Sequence, residues 1–308
     1  MARQITESRV VAGGLSWARL LKRIYPYVLL APTIITLLLV LVWPMLSSLR
    51  LSFYAYNILR PDLGERFVGL ENYARLLQSD QFWTSVKVTL LFTAVAIVVE
   101  FVLGLVFALL LNRADLVAMR FIRTIILIPF FATPVAVALA WKFMLHTEFG
   151  MLNYFIGLLH VPPQVWLGVD LALPSVIAVE VWQNTSFVIL ILLAGLQSLP
   201  VEPYESAILD GANSWQLFTK ITLPMLRPVI LVALVFRTMF TLRVFDVIWV
   251  LTGGGPANST RTLSIAIYLT GFRTFDLGRG AALSWVLLLI TMVISLVYWR
   301  YLSGEVDV

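Results

Sequence analysis

Six blocks of mostly apolar residues divide the chain, and each is about 20 residues long, the length that a helix needs to cross a bilayer. The apolar residues run continuously within each block rather than alternating, which is typical of spanning helices and not of a transmembrane β-barrel. Only 13% of the residues are charged, about half the share in a soluble domain. The pattern predicts an all-α integral membrane bundle with six spans, at Tyr27–Leu46, Val88–Leu111, Ile122–Leu145, Leu173–Leu196, Val229–Leu251 and Ala281–Tyr301.

The spans predict one membrane domain over residues 25–303, with a leader at 1–24 and a short tail at 304–308. The first apolar block is longer than the apolar part of a usual signal peptide, and no small-x-small cleavage site follows it. We therefore expect the first block to be retained as a span.

The positions of Lys and Arg predict how the bundle is oriented. The basic residues of the leader and of the connection between the second and third spans are Arg3, Arg9, Arg19, Lys22, Arg23, Arg113, Arg120 and Arg123. Residues 146–171, in contrast, contain neither Lys nor Arg. Because basic residues favour the cytoplasmic side, both termini should be cytoplasmic in the plasma membrane of a bacterium or archaeon. Arg261, Arg273 and Arg279 fall in a predicted outer loop and oppose this assignment.

Several kinds of chemistry are excluded by what the sequence lacks. Without cysteine there is no disulfide, iron–sulfur cluster or thiolate metal site, and the two histidines, His146 and His160, fall in a predicted outer loop. No glycine-rich loop ends in Gly-Lys-Ser or Gly-Lys-Thr, so the chain should not hydrolyse ATP. We expect no metal site and no catalytic residues. The net charge of +5 fits the predicted topology better than nucleic-acid binding, because no long basic run accompanies it.

The connection between the fourth and fifth spans reads as two short helices rather than as a loop. Pro203 suits the first turn of a helix, and Glu205 lies where a carboxylate favours the positive helix end. Gly211 can take a positive φ and end that helix, while Asn213 or Ser214 can cap a second one. By the predicted topology, the pair lies on the cytoplasmic side.

The second of these helices carries Trp215, Phe218 and Ile221 along one edge, and Pro224 is expected to end it. One interpretation is an amphipathic pair that lies on lipid headgroups. A docking surface for another protein is the alternative, since Ala207 and Gly211 are small and four residues apart.

The same segment resembles the Glu-Ala-Ala loop of importer permeases of the ATP-binding cassette superfamily. The residues that carry this resemblance, or depart from it only slightly as Ser206 does, are Glu205, Ser206, Ala207, Asp210, Gly211, Ile221, Leu223 and Pro224. Other stretches, among them "FVGLENYARLLQSDQFW" and "RVFDVIWVLTGGGPANSTRTLSIAIY", look like the carbohydrate-uptake branch, which includes maltose, trehalose and glycerol-phosphate permeases.

The resemblance implies a type I importer permease bundle whose helix pair, within residues 202–228, is a coupling helix seated in a nucleotide-binding subunit. It further implies a second permease as partner, two ATPase subunits that bind ATP and Mg, and an extracytoplasmic sugar-binding protein. No cofactor is expected on this chain itself.

Polar residues inside the fourth and fifth spans mark a candidate substrate pathway, because charges within spans are costly and normally face the protein interior or water. These residues are Glu180, Gln183, Asn184, Phe187, Arg237, Phe240, Thr241, Arg243 and Asp246. The combination suits a sugar, whose hydroxyls need hydrogen bonds and whose C–H faces stack on rings. A structural alternative is an Arg243–Asp246 pair that only holds the bundle together. For Glu100, in the second span, we expect pairing or packing against another helix.

Two other classes of function stay open at this point. A secondary transporter would show an inverted repeat or an acidic relay, and neither is visible. A membrane enzyme acting on lipid-linked sugars would need a catalytic acid or base at the membrane face, and the spacing of Glu148, Asp170 and Asp276 follows no known requirement.

Overall fold

A computed structural model describes residues 25–112 and 117–303, and nearly all of their regular structure is helical. The predicted leader, the predicted tail and Arg113 lie outside these residues. In chain order the elements are α1 (Tyr25–Ser52), β1 (Tyr54–Ala55), β2 (Arg66–Phe67), α2 (Glu71–Leu77), α3 (Asp80–Asn112), α4 (Val117–Phe131), α5 (Pro134–Met144), α6 (Met151–Leu158), α7 (Ala172–Gln197), α8 (Glu202–Leu209), α9 (Ser214–Thr241), α10 (Asp246–Leu251), α11 (Leu263–Arg273) and α12 (Leu277–Ser303). The two strands form a small antiparallel hairpin.

Five of the described helices are long and apolar enough to cross a bilayer, namely α1, α3, α7, α9 and α12. The bent pair α4 and α5 makes a sixth crossing if the pair is taken as one span. The number of spans therefore agrees with the sequence prediction. The first, second, fourth and sixth predicted spans each lie within one of these helices.

The third predicted span was wrong as a single helix, since α4 and α5 meet at an angle of 100°. The break falls at Thr133, whose φ of −63° and ψ of 133° are extended rather than helical. Pro134 favours this break, because a proline ring disfavours the helical conformation of the residue before it.

The fifth predicted span was also wrong, because its helix starts earlier and ends earlier than the apolar pattern indicates. α9 runs continuously from Ser214 to Thr241, and a break then separates it from the short α10. Pro224 therefore does not end the second helix of the predicted pair. A π-helical turn at Phe218–Thr222 widens the helix just before Pro224, which is then accommodated near the start of the following α-helical stretch.

Close packing of α3 against α7 forms the centre of the bundle. A Cβ atom placed on Gly104 of α3 would lie 2.6 Å from Cγ1 of Val188 on α7, so only glycine permits this approach. Buried apolar residues surround the contact, among them Phe92 of α3 and Leu192 of α7. α1, in contrast, packs mainly along α12, and most of its apolar side chains are exposed, as expected for a helix that otherwise faces lipid.

Candidate functional site

A cavity of about 490 Å³ lies between α7, the break that joins α4 to α5, and the break that joins α9 to α10. Its walls combine four phenylalanines with six polar or charged side chains. The lining residues are Phe130, Pro134, Glu180, Gln183, Asn184, Phe187, Arg237, Phe240, Arg243, Val244, Phe245, Asp246 and Val247.

Eight of the nine residues that the sequence suggested for a substrate pathway line this cavity, and Thr241 does not. Thr241 is 1% exposed, and its hydroxyl has no hydrogen-bond partner among the described residues. The reason is geometric: consecutive residues of a helix point about 100° apart, so Thr241 faces away from the wall that Phe240 forms.

A buried ion cluster lies at one wall of the cavity, and two of its three members, Glu180 and Arg237, line the cavity. Arg237 donates from Nε to Oε2 of Glu100 at 2.7 Å, and from Nη2 to Oε1 of Glu100 at 2.8 Å and to Oε1 of Glu180 at 3.0 Å. The three side chains are at most 5% exposed. A guanidinium is suited to this position because its planar fork binds a carboxylate with two parallel hydrogen bonds.

The cluster joins three helices, because Glu100 belongs to α3, Glu180 to α7 and Arg237 to α9. The expectation that Glu100 pairs with another helix is confirmed. The proposed Arg243–Asp246 pair is not formed within the part of the chain that the structure describes. Arg243 instead donates from Nε to the carbonyl of Met239 at 3.0 Å.

Sequence reasoning missed several of the cavity residues at the two helix breaks. Phe130 and Pro134 come from the α4–α5 break, and Phe245 from the α9–α10 break. The amide of Gln183 donates to the carbonyl of Ala132 at 3.0 Å, a carbonyl that the break removes from regular helical bonding. The proline after Thr133 was the available signal for this break, since it restricts the residue before it.

The cytoplasmic helix pair of the sequence prediction consists of α8 and the first turns of α9. Gly211 lies in the bend between them with a φ of +81°, a conformation that glycine adopts without strain. Asn213 caps the second helix, since its side chain accepts from the amide of Gln216, whose own side chain accepts from the Asn213 amide. The prediction of a helix, a bend and a capped second helix is confirmed.

The eight residues of the motif are spread over this segment. Three of them lie on α8, two in the bend and three on the first turns of α9: Glu205, Ser206 and Ala207, then Asp210 and Gly211, then Ile221, Leu223 and Pro224. The bend presents apolar side chains outward, with Leu209 88% and Trp215 71% exposed. Exposed apolar groups beside the acidic Glu205 and Asp210 form a surface suited to contact with another protein.

The remaining candidate groups lie in the connections that follow α5 and α10. The ring of His146 stacks on that of Phe149 with centroids 3.5 Å apart, and among the described residues no group of three or more His, Asp or Glu could hold a metal ion. Burial lowers the pKa of Arg261, whose Nε has no hydrogen-bond partner in the described ranges. The guanidinium stays charged nevertheless, because its ordinary pKa is so high.

Comparison with protein families gives a match over residues 100–301 to the family described as "Binding-protein-dependent transport system inner membrane component". The matched region includes the ion cluster, the cavity and the helix pair.

Two named relatives extend over nearly the whole chain. The probable ABC transporter permease protein y4oQ of Sinorhizobium fredii is 41% identical over 274 residues, covering 89% of this chain and 88% of the relative. The trehalose/maltose transport system permease protein MalF of Thermococcus litoralis is 37% identical over 275 residues, covering 89% of this chain and 92% of the relative.

The fold is similar to that of a chain from the crystal structure of a bacterial ABC transporter involved in the import of the acidic polysaccharide alginate. The TM-score is 0.82 at 26% identity, with 95% of this chain and all of the other covered.

Proposed function

The chain belongs to the family of binding-protein-dependent transport system inner membrane components, and from this premise we propose that it passes a saccharide through the plasma membrane. It is a permease of the ABC transporter type. A saccharide is supported as cargo by the trehalose/maltose permease among its relatives and by the character of the cavity.

The observation that carries this proposal is the combination of rings and hydrogen-bonding groups in one cavity within the membrane bundle. Phe130 and Phe187 have ring centroids 5.3 Å apart and provide flat apolar surfaces. Gln183 and Asn184 provide amide groups beside them. A pyranose ring presents C–H faces and hydroxyl edges, which match these two kinds of surface.

We infer further that α8 and the start of α9 are the coupling helix, seated in a cleft of an ATPase subunit that binds ATP and Mg. α9 supports this assignment, because the helix that begins at the bend continues without interruption to Arg237 and Phe240 in the cavity wall. A movement of the bend can therefore be carried along one helix to the cavity.

The complete transporter would then contain this chain, a second permease facing it, two ATPase subunits in the cytoplasm and an extracytoplasmic binding protein. Both termini of the chain would be cytoplasmic. Closure of the ATPases on ATP would rotate the permeases and open the cavity outward, and release of ADP and phosphate would return it inward. Nucleotide and saccharide would thus be coupled through two global states.

Uptake into proteoliposomes tests the proposal. The assembled transporter, with ATP inside the vesicles and the binding protein loaded with labelled saccharide outside, should accumulate label only when ATP is present. Phe187→Ala should reduce the maximal rate because it removes one face of the cavity. Leu190→Ala is the matched control, since Leu190 lies on the same helix, 41% exposed and outside the cavity lining. Accumulation driven by an ion gradient without ATP would contradict the proposal.

A further inference from the structure

A second cavity, of about 400 Å³, lies where the connection between α1 and α2 meets the start of α12. The charged residues of its lining are four arginines and one aspartate, namely Arg60, Arg66, Arg75, Arg279 and Asp276. None of them belongs to the proposed substrate pathway. We refer to this cavity as the basic pocket.

Two of the four arginines already have anionic partners within the protein. Arg75 forms an ion pair with Glu71 one turn away, and Nε of Arg279 lies 3.3 Å from Oδ2 of Asp276. The carboxylate of Asp276 also accepts from the backbone amide of Arg279 at 3.1 Å. With Glu71 counted beside the lining, four cations are balanced by only two carboxylates, which leaves a formal charge of +2.

The side chains of Arg60 and Arg66 carry this excess. Both are exposed, and neither makes a hydrogen bond or an ion pair with any residue that the structure describes. Of the two acids in the connection between α1 and α2, Glu65 is bound to Arg50 at 2.8 Å and Asp62 lies outside the lining. Two guanidiniums in one concave site are therefore free to donate to an external acceptor.

The backbone that carries these arginines is fixed against neighbouring elements. Arg66 lies on β2 and is paired with Ala55 of β1. The side-chain amide of Asn72 donates to the carbonyl of Tyr54 at 2.9 Å. A Cβ atom placed on Gly278 of α12 would lie 2.0 Å from the same carbonyl oxygen, so the hairpin and α12 are in close contact. An ordered scaffold of this kind lowers the entropy that is lost when a partner binds.

The basic pocket and the bend after α8 lie at opposite ends of the bundle. α3, which is 33 residues long, extends over roughly 50 Å at 1.5 Å per residue. Its last residue, Asn112, lines a groove together with Tyr204 and Trp215 of the helix pair. Near its other end, Phe82 lies in one buried apolar cluster with Leu283 of α12, the helix whose start lines the pocket. With the bend in the cytoplasm, as proposed, the basic pocket opens on the extracytoplasmic side.

Arginines on the extracytoplasmic side do not serve the orientation of the chain, because basic residues near spans favour the cytoplasm. Arg279 is one of the residues that opposed the predicted orientation, and Arg60, Arg66 and Arg75 lie on the same side. Arg60 and Arg66 also lack an internal partner among the described residues. Neither orientation nor internal pairing therefore accounts for these two charges.

We propose that the basic pocket receives acidic side chains of the extracytoplasmic binding protein, with Arg60 and Arg66 as the donors. The inference rests on the proposed function and names the surface of this chain that the binding protein contacts. A guanidinium binds a carboxylate through two parallel hydrogen bonds. Leu59 and Phe67, the chain neighbours of the two arginines, are 65% and 67% exposed. Aromatic residues and arginine are enriched at protein interfaces, which favours a protein as the occupant over a small anion.

The test measures how tightly the binding protein binds to the assembled transporter in nanodiscs of phosphatidylcholine, a lipid without net charge. The probe is the saccharide-loaded binding protein that stimulates ATP hydrolysis by the same transporter. The double variant Arg60→Gln, Arg66→Gln should raise Kd about tenfold or more at low ionic strength, mainly through slower association. The effect should shrink at high ionic strength, because salt screens exposed charges.

Lys87→Gln is the matched control, because Lys87 is exposed near the start of α3 and lies outside the basic pocket. It removes a basic side chain from the same end of the bundle and should leave Kd unchanged. The double glutamine variant should keep the wild-type thermal midpoint, since Arg60 and Arg66 make no bonds to described residues through their side chains. Replacing both arginines by lysine keeps the charge and should retain part of the affinity.

The outcomes separate the pocket from the proposed function. An unchanged Kd in the double variant overturns the assignment of the pocket and leaves the transport of saccharides intact, and so does an equal loss in Lys87→Gln, which would make the effect one of total charge. Loss of labelled phosphatidylglycerol from the double variant, with the affinity for the binding protein unchanged, would assign the pocket to a lipid headgroup instead. If no binding protein stimulates ATP hydrolysis by the wild-type transporter, the proposed function itself is contradicted.

Discussion

Arg237 and Glu100 are 137 residues apart in the chain, yet Nε of the arginine lies 2.7 Å from Oε2 of the glutamate inside the bundle. The same guanidinium reaches Glu180, so one side chain fixes α9 against both α3 and α7. α7 also leads into α8, and α9 leaves the bend that follows α8. The cluster therefore fixes the position of the cavity wall relative to the proposed coupling segment.

Replacing Arg237 should destabilise the bundle strongly. Arg237→Met leaves two carboxylates buried without their cation, and breaking such a pair costs roughly 3–5 kcal/mol. The thermal midpoint of the purified complex, followed by tryptophan fluorescence, should fall by several degrees. The triple variant Arg237→Met, Glu100→Gln, Glu180→Gln should recover part of the loss, because no uncompensated charge remains. A triple variant as unstable as the single one would contradict the electrostatic explanation.

Gly104 and Gly157 form a matched pair for testing the contact between α3 and α7. A Cβ at Gly104 would lie 2.6 Å from Cγ1 and 2.8 Å from Cβ of Val188, so Gly104→Ala should force the helices apart at a cost of about 1–3 kcal/mol. A Cβ at Gly157 meets nothing within 4 Å, and Gly157→Ala should be neutral or stabilising because alanine favours a helix. Thermal unfolding of the two variants measures the difference, and equal midpoints would disprove the close contact.

The residues of the spans were largely predictable because bilayer thickness fixes the length of an apolar helix. Polar residues spaced three and four apart on one span, such as Glu180, Gln183 and Asn184, also predicted a shared wall, and they line one cavity. The capped bend was predictable for a similar reason, since Gly211 and Asn213 act through their own backbone and nearest neighbours. Predictions from the local sequence succeed where the structure is determined by contacts between residues that are close in the chain.

The break between α9 and α10 and the partners of Arg237 could not be predicted from local sequence rules. Between α9 and α10 three of the four residues 242–245 are apolar, so hydropathy gives little sign of the break. The sequence suggested an Arg243–Asp246 pair and no partner for Arg237, which instead pairs with Glu100 and Glu180 on two other helices. Which partner a buried charge finds depends on how the helices pack.

The side chain of Asn213 should stabilise the first turn of α9 by capping it. Asn213→Ala removes the side chain that accepts from the Gln216 amide, and loss of such a cap costs about 0.5–2 kcal/mol. Amide hydrogen exchange over residues 214–217 should become faster, while exchange in α7 stays unchanged. Asn213→Asp keeps an acceptor at the same place and should exchange as the wild type does. Faster exchange in the aspartate variant as well would show that the cap is not the stabilising feature.

Substitutions at Gly211 test whether the shape of the bend is needed for coupling. The backbone conformation of Gly211 is unfavourable for most other residues, whereas its surroundings leave room for a side chain. A Cβ there meets nothing within 4 Å, so any penalty comes from the φ of +81° and not from a clash. A β-branched residue is strained in this region by about 1–3 kcal/mol, whereas asparagine tolerates it. Gly211→Val should therefore insert and assemble but lose most transport and most stimulation of ATP hydrolysis by the loaded binding protein, and Gly211→Asn should keep a large part of both. Transport by the valine variant at the wild-type rate would mean that the shape of the bend does not matter for coupling.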